Sequence, residues 1–218
     1  MAEVKLLAKL PGSKRNVGAR AEAKTPEIVA ASRQYGELYF DGPRCYGYGG
    51  YRYDGRWIPV AADIVGHFGL KAGDRVLDVG CAKGFLVKDL IKVCPGLEAF
   101  GIDVSEYALM HCEPEVVGRL HLGNADRLPF PDGSFQAVLS INTIHNLDRA
   151  GCLRALREIE RLAPGRGFVQ VDSYRTPEQK AQFEDWVLTA RFHDTPDGWV
   201  RLFAEAGYSG DYYWTIVE

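Results

Sequence analysis

The stretch from Arg75 to Phe85, RVLDVGCAKGF, constrains the fold of this chain more than any other. Val76, Leu77 and Val79 give it the β-branched, apolar character of a strand covered on both faces. Gly80 and Gly84 then supply a tight turn, and Phe85-Leu86-Val87-Lys88-Asp89-Leu90-Ile91 follows with helical spacing. Such a unit leaves unpaired N–H groups at a helix N-terminus, where a nucleotide-bearing ligand can sit.

The flanking chain extends this pattern. Residues 58–70 are amphipathic, with Val60, Ile64, Val65 and Phe68 at helical spacing and Gly69 as a stop. Strands are expected near 75–79, 98–102, 118–122, 135–141 and 167–172, with helices near 84–93, 105–113 and 149–162. Beyond Tyr174 the pattern reads helix (178–186), strand (187–193), helix (197–206) and strand (211–217). Alternation of this kind implies right-handed crossovers and a parallel sheet with helices on both faces. The expectation is a seven-stranded, mostly parallel, doubly wound α/β sheet over 57–218, with an antiparallel edge formed by the last strands. An extension, 1–56, precedes it.

At 218 residues the chain can bury one sizeable core. Its net charge of −3 argues against a protein held to nucleic acid by bulk electrostatics. The arm up to Arg33 is locally basic, with seven Lys or Arg against three Glu, and reads as a solvated arm open to a weak anionic contact. No run of 18 apolar residues and no signal-peptide core occurs, so no membrane contact is expected. Cys45, Cys81, Cys94, Cys112 and Cys152 are odd in number and include no C-x-x-C pair, which argues against a zinc site or a disulfide framework and for a reduced cytoplasm. No metal-ligating cluster stands out.

The turn is not a dinucleotide fingerprint. G-x-G-x-x-G would let backbone approach a pyrophosphate, whereas here Asp78 lies just before Gly80. A carboxylate there repels a pyrophosphate but suits an ammonium or sulfonium, and S-adenosylmethionine carries both. Asp103, ending the second strand in AFGIDVS, can accept from both ribose hydroxyls. Together they favour S-adenosylmethionine over NAD.

LDVGCAKG, GIDVS, GNADRLPFPDGSFQAVLSINTIHNL and REIERLAPGRGFVQVD resemble, in order and spacing, the successive motifs of class I S-adenosylmethionine-dependent methyltransferases, over about residues 57–172. GYSGDYYWTIVE resembles that family's last strand. The resemblance implies a Rossmann-like fold and a methyl donor. It places Asp78, Gly80, Cys81 and Gly84 around the methionine part, Asp103 at the ribose and Val104 beside adenine. Asn124-Ala125 stands where the family commonly has an acid and a small residue at the adenine amino group. Ala82 replaces the middle glycine of the turn. Ser140, Ile141 and Asn142 end the fourth strand, where the family holds the transferable methyl near the substrate.

For chemistry, His145 follows strand four at the sheet's C-terminal edge and is the candidate general base, with a helix-cap or loop histidine as its bland alternative. Asp172 and Tyr174, after strand five, could orient an acceptor hydroxyl, and Arg175 could pair with a substrate carboxylate or phosphate. From 35 to 57 lie six of the eleven tyrosines, interleaved with glycines. Flat phenols on a hinge-like backbone suit a substrate cover, and Tyr46, Tyr48, Tyr51 and Arg52 are its candidate contacts. A static loop is the rival. The leading expectation is methyl transfer to an O or N nucleophile of a small polar metabolite. A methyltransferase docking RNA or protein through the basic arm, and a non-catalytic S-adenosylmethionine-binding module, are the alternatives.

Overall fold

The computed structural model describes residues 1–12 and 15–217; Ser13 and Lys14 of the basic arm and the final Glu218 lie outside the described residues. The extension contributes α1 (Val17–Ala23), α2 (Pro26–Ser32) and α3 (Glu37–Phe40). Then come α4 (Ile58–Phe68), β1 (Arg75–Val79), α5 (Phe85–Val93), β2 (Glu98–Asp103), α6 (Glu106–Met110), β3 (Leu120–Leu122) and β4 (Ala137–Ile141). The chain continues through α7 (Arg149–Leu162), β5 (Gly167–Ser173), α8 (Pro177–Trp186) and α9 (Pro196–Ala206) to β6 (Asp211–Ile216).

Local chemistry sets these boundaries. Asp148 caps α7 by accepting from Gly151 N at 2.7 Å, and Ser105 caps α6 by accepting from Ala108 N at 2.9 Å. α8 and α9 each begin with a threonine cap followed by proline, which needs no N–H there. Gly69 and Gly207 end α4 and α9 in the left-handed conformation.

The strands form one sheet of order β3-β2-β1-β4-β5-β6, all parallel. Fully buried residues of alternate faces pack into two layers. Leu77, Val138 and Val169 meet Leu156, Ile159 and Phe203 on the α7–α9 side. Val76, Ala99 and Leu139 meet Ile64, Val87 and Leu90 on the α4–α5 side. The described part of the arm is packed: Leu6 is buried on the α4–α5 layer, and Glu3 pairs with Tyr212 of β6.

Two expectations about the sheet are corrected. Among the described residues it has six strands instead of seven and no antiparallel edge, its last strand running parallel to β5. The segment 187–193 carries the apolar composition of a strand but spends it differently. Leu188 and Ala190 are buried, the Arg191 and Phe192 amides donate to the His145 carbonyl, and the sheet is touched only by a single Ser173–Asp194 bridge. With no strand between them, β6 follows β5 by one crossover, which delivers a parallel neighbour.

The strand order reverses between β1 and β4, where Val79 at the end of β1 opposes Ile102 of β2 on one side and Ser140 of β4 on the other. A crevice opens beyond the C-terminal ends of the strands at such a switch point.

Candidate functional site

The turn after β1 is built from left-handed residues: Gly80 at φ 83°, Ala82 at φ 50° and Gly84 at φ 75°. At Gly80 a Cβ would stand 2.1 Å from Thr143 Oγ1, so glycine is required by space as well as by angle. The Gly80 and Cys81 amides donate to the Ile102 carbonyl at 2.8 and 3.2 Å, docking the turn on β2. Cys81 turns its sulfur against Gly101, where burial pushes the thiol well above its ordinary range, leaving only its backbone to face the crevice.

Asp103 is fixed by this turn. Its two carboxylate oxygens accept from Ala82 N and Ser105 N, each at 2.8 Å. Burial raises its pKa, and those two bonds pull the other way. Each oxygen keeps lone-pair capacity for a diol. Asp78 is only 5 % exposed, and burial followed by the nearby Asp103 charge pushes its carboxyl up to about 7.

Asp103 lies in the wall of a cavity of about 260 Å³ that also touches Gly80, Ala82, Ile141, Asn142, Thr143 and Asn146. Val104, Asn124, Gly123 and Tyr35 continue into a wider cleft of about 540 Å³ bounded by Tyr107 and Leu122. Asn146 Oδ1 and Ser140 Oγ are buried without a partner among the described residues. All three non-glycine residues with positive φ, Tyr35, Ala82 and Asn142, line the cavity. Strained backbone of this kind clusters where a ligand must be gripped.

The Methyltransferase domain family matches residues 76–167, from β1 to the first residue of β5. Over these residues the chain carries a domain of the class I S-adenosylmethionine-dependent methyltransferase family. It is 31 % identical over 147 residues to a demethylmenaquinone methyltransferase of Symbiobacterium thermophilum, covering 63 % of this chain and 58 % of that protein. It is 32 % identical over 107 residues to a sterol 24-C-methyltransferase of Gibberella zeae, covering 45 % of this chain and 27 % of that protein. The chain thus spans little more than half of the first relative's length and about a quarter of the second's. In fold it is similar to a chain of the Haloferax volcanii complex containing the Trm112 methyltransferase activator, with a TM-score of 0.55, 22 % identity and coverage of 67 % of this chain and 66 % of that one.

The family implies S-adenosylmethionine as methyl donor, and the residues of this methyltransferase domain fit it. Asp103 offers fixed acceptors for ribose hydroxyls. Val104 and Asn124 border the wider cleft where a base can lie, although Asn124 Oδ1 already makes a long 3.4 Å contact with Asp126 N. Asp78 is buried at the end of β1, close enough for its charge to act on the Tyr51 phenol, and it lies behind the wall of the cavity, not in it. Ala125 and Ile141 line the cavity, whereas Gly84 packs under Val116 and Leu120 away from it and Ser140 is fully buried on β4.

The structure separates the other candidates. His145 is 3 % exposed and lies outside the cavity wall; its Nδ1 accepts from Asp172 N at 3.0 Å, and Nε2 faces Asp172 Oδ2 at 3.5 Å. Burial lowers its pKa, partly offset by Asp172, so the ring is neutral with its proton on Nε2. Tyr174 packs against His193 and lies with Asp172 outside the cavity wall. Arg175 and Arg52 are exposed and, with Tyr46, also stand away from it. Asn142 does line the cavity, its Oδ1 accepting from Thr215 at 2.8 Å.

The tyrosine-rich segment is brought over the turn in part. Tyr48 is 45 % exposed, and it lines the cavity together with Tyr39 and Phe40. Its ring lies 4.3 Å from Tyr51, which stacks at 4.6 Å on Phe85. Sequence reasoning missed the residue that fastens this segment. Lys83, inside the glycine turn, donates to both Asp41 oxygens at 2.9 and 2.7 Å and to the Tyr51 carbonyl at 3.0 Å. Tyr107 and the Tyr51 amide also donate to Asp41. Burial pushes the Asp41 carboxyl up, but these bonds outweigh it and hold it below its ordinary value. Arg33, Tyr39, Asn146 and Arg191 were likewise missed as cavity residues; only the clustering of tyrosines hinted at Tyr39.

Proposed function

We propose that this chain transfers a methyl group from S-adenosylmethionine to an oxygen or nitrogen nucleophile of a small molecule. The observation that carries the reading is Asp103, held by two backbone amides where the cavity beside the turn opens into the wider cleft. One end of that continuous space suits an adenosine; the other, walled by Tyr39, Phe40, Tyr48 and Leu147, is left for an acceptor.

When bound, the donor supplies a methyl already activated by its sulfonium. The protein's work is then alignment, which can supply much of a rate enhancement when reacting atoms are held at roughly 3 Å. In this reading Asp103 holds the ribose, Asp78 the ammonium and Asn124 the adenine edge. Tyr48 and Tyr51 keep water from the reacting atoms. His145 and Asp172 act as positioning residues between β4 and β5, because the nitrogen that would take a proton already accepts from Asp172 N.

Two observations support a small acceptor over RNA or protein. Relatives named for an acceptor include a demethylmenaquinone, a sterol, a fatty-acid and a rifamycin methyltransferase, the sterol enzyme named for carbon and the last two for oxygen. Two guanidinium groups of the basic arm also turn inward: Arg15 donates to the Ile216 carbonyl, Arg20 donates to the Cys45 and Gly47 carbonyls, and both lie against the Trp186 ring. Calorimetry with S-adenosylmethionine, S-adenosylhomocysteine and NAD in parallel tests the reading. The two adenosyl ligands should bind and Asp103→Ala should lose both; binding of NAD alone would end it.

A further inference from the structure

The cavity carries a pair of cations that holding the methyl donor does not use. Arg33 follows α2 and Arg191 lies between α8 and α9, yet both line the same cavity. Arg33 Nη2 lies 3.5 Å from the carbonyl of Ala190, the residue before Arg191, so the two segments meet at one side of the mouth. Among the described residues the arginines within 4.0 Å of a carboxylate are Arg56, Arg75, Arg149, Arg154 and Arg161, and neither cavity arginine is among them.

The rest of the wall reinforces this polarity. The Tyr35 and Tyr39 phenols are pushed up from their ordinary value, chiefly by burial, so both stay protonated, and the half-exposed Tyr48 stands beside them in the wall. The carboxylate in the wall, Asp103, has both oxygens already held by backbone amides. Phe40, Ile141 and Leu147 add apolar surface beside the donors. Guanidinium pairs match the planar, two-oxygen geometry of a carboxylate better than any other side chain does.

We propose that the acceptor is an organic acid, its carboxylate seated on Arg33 and Arg191 and its apolar body between Phe40, Tyr48 and Leu147. This rests on the methyl-transfer reading of the site. It concerns how the acceptor is held, whichever of its nucleophiles takes the methyl.

The test uses the full chain saturated with S-adenosylhomocysteine and ligand-observed NMR titrations of octanoate, benzoate and phenylacetate against octanamide, benzamide and phenylacetamide. At least one acid should bind about tenfold more tightly than its amide. Arg33→Gln and Arg191→Gln should each remove about tenfold of that affinity, Arg191→Lys should retain part of it, and S-adenosylhomocysteine affinity should stay within about twofold in all three. Amides binding as tightly as acids, no acid binding at all, or both glutamine variants keeping wild-type affinity for the acid would overturn the proposal. Failure of the wild-type chain to bind S-adenosylhomocysteine would instead sink the methyl-transfer reading beneath it.

Discussion

Asp78 is a carboxyl group kept where an ion is costly. Its folded pKa of about 7 lies above the ordinary value of 3.8, so above pH 7 the ligand-free protein carries a buried charge that the unfolded chain would hydrate. Stability contributed at this position is therefore greatest in acid and is lost as pH rises through about 7. A cationic ligand reverses the preference, because only the ionised carboxylate attracts it. Calorimetry should find S-adenosylmethionine affinity falling roughly tenfold per pH unit below that pKa and levelling above it. Asp78→Asn should flatten the profile and raise the melting temperature of the ligand-free protein more at pH 8 than at pH 5. His145 titrates with the opposite sign. Its folded pKa lies below its ordinary 6.5, so its contribution is present at neutral pH and lost as pH falls below about 6.5. His145→Phe leaves the Asp172 amide without its acceptor and should cost about 1–3 kcal/mol at pH 7.5; denaturant titrations should show that deficit shrinking at pH 5.5.

At the scale of elements, the tyrosine-rich segment and the glycine turn behave as one unit, because Lys83 belongs to the turn and holds Asp41 and Tyr51 of the segment. The Lys83 side chain is 9 % exposed and Asp41 26 %, so water competes little for this pair. Lys83→Met leaves Asp41 to Tyr107 and the Tyr51 amide without a counter-charge, and should speed amide hydrogen exchange over 46–53, with S-adenosylmethionine slowing it again. Exchange left unchanged would mean that stacking of Tyr51 on Phe85 holds the segment by itself. Much of the element pattern was legible beforehand. β1, α5, α7 and β5 follow from apolar runs and periodicity, and the turn and Asp103 could be read from spacing. The cover was legible only as composition, since no spacing announces that Lys83 reaches Asp41, 42 residues away. Arg33 and Arg191 escaped for the same reason: each is an ordinary surface arginine until the fold brings α2 and the 187–193 segment to one mouth. That segment misled because an apolar run bounded by polar residues describes a strand and a buried irregular connection equally well.

For the whole molecule, the misread connection changes the sheet. A strand at 187–193 would have reversed the direction of everything after it. Instead the chain crosses the ligand edge there, with Thr189 buried and the Arg191 and Phe192 amides bonded to the His145 carbonyl. The candidate site is thus walled by the sheet's C-terminal edge, by the N-terminal extension and by this late crossing. Truncation of residues 1–56 should therefore remove far more than an arm: Tyr35, Tyr39, Phe40 and Tyr48 leave the cavity wall, Lys83 loses Asp41, and adenosyl-ligand affinity measured by calorimetry should fall at least about tenfold.

The direction of β6 has a practical corollary. A parallel final strand delivers the polypeptide to the same edge as the switch-point crevice, with Val217 packed against Ala190 one residue before Arg191. Glu3, by contrast, pairs with Tyr212 near the start of β6, at the opposite edge of the sheet. A reporter dye attached to the side chain at position 217 would therefore lie near the Arg191 end of the cavity, whereas the same dye at position 3 would lie at the far edge of the sheet.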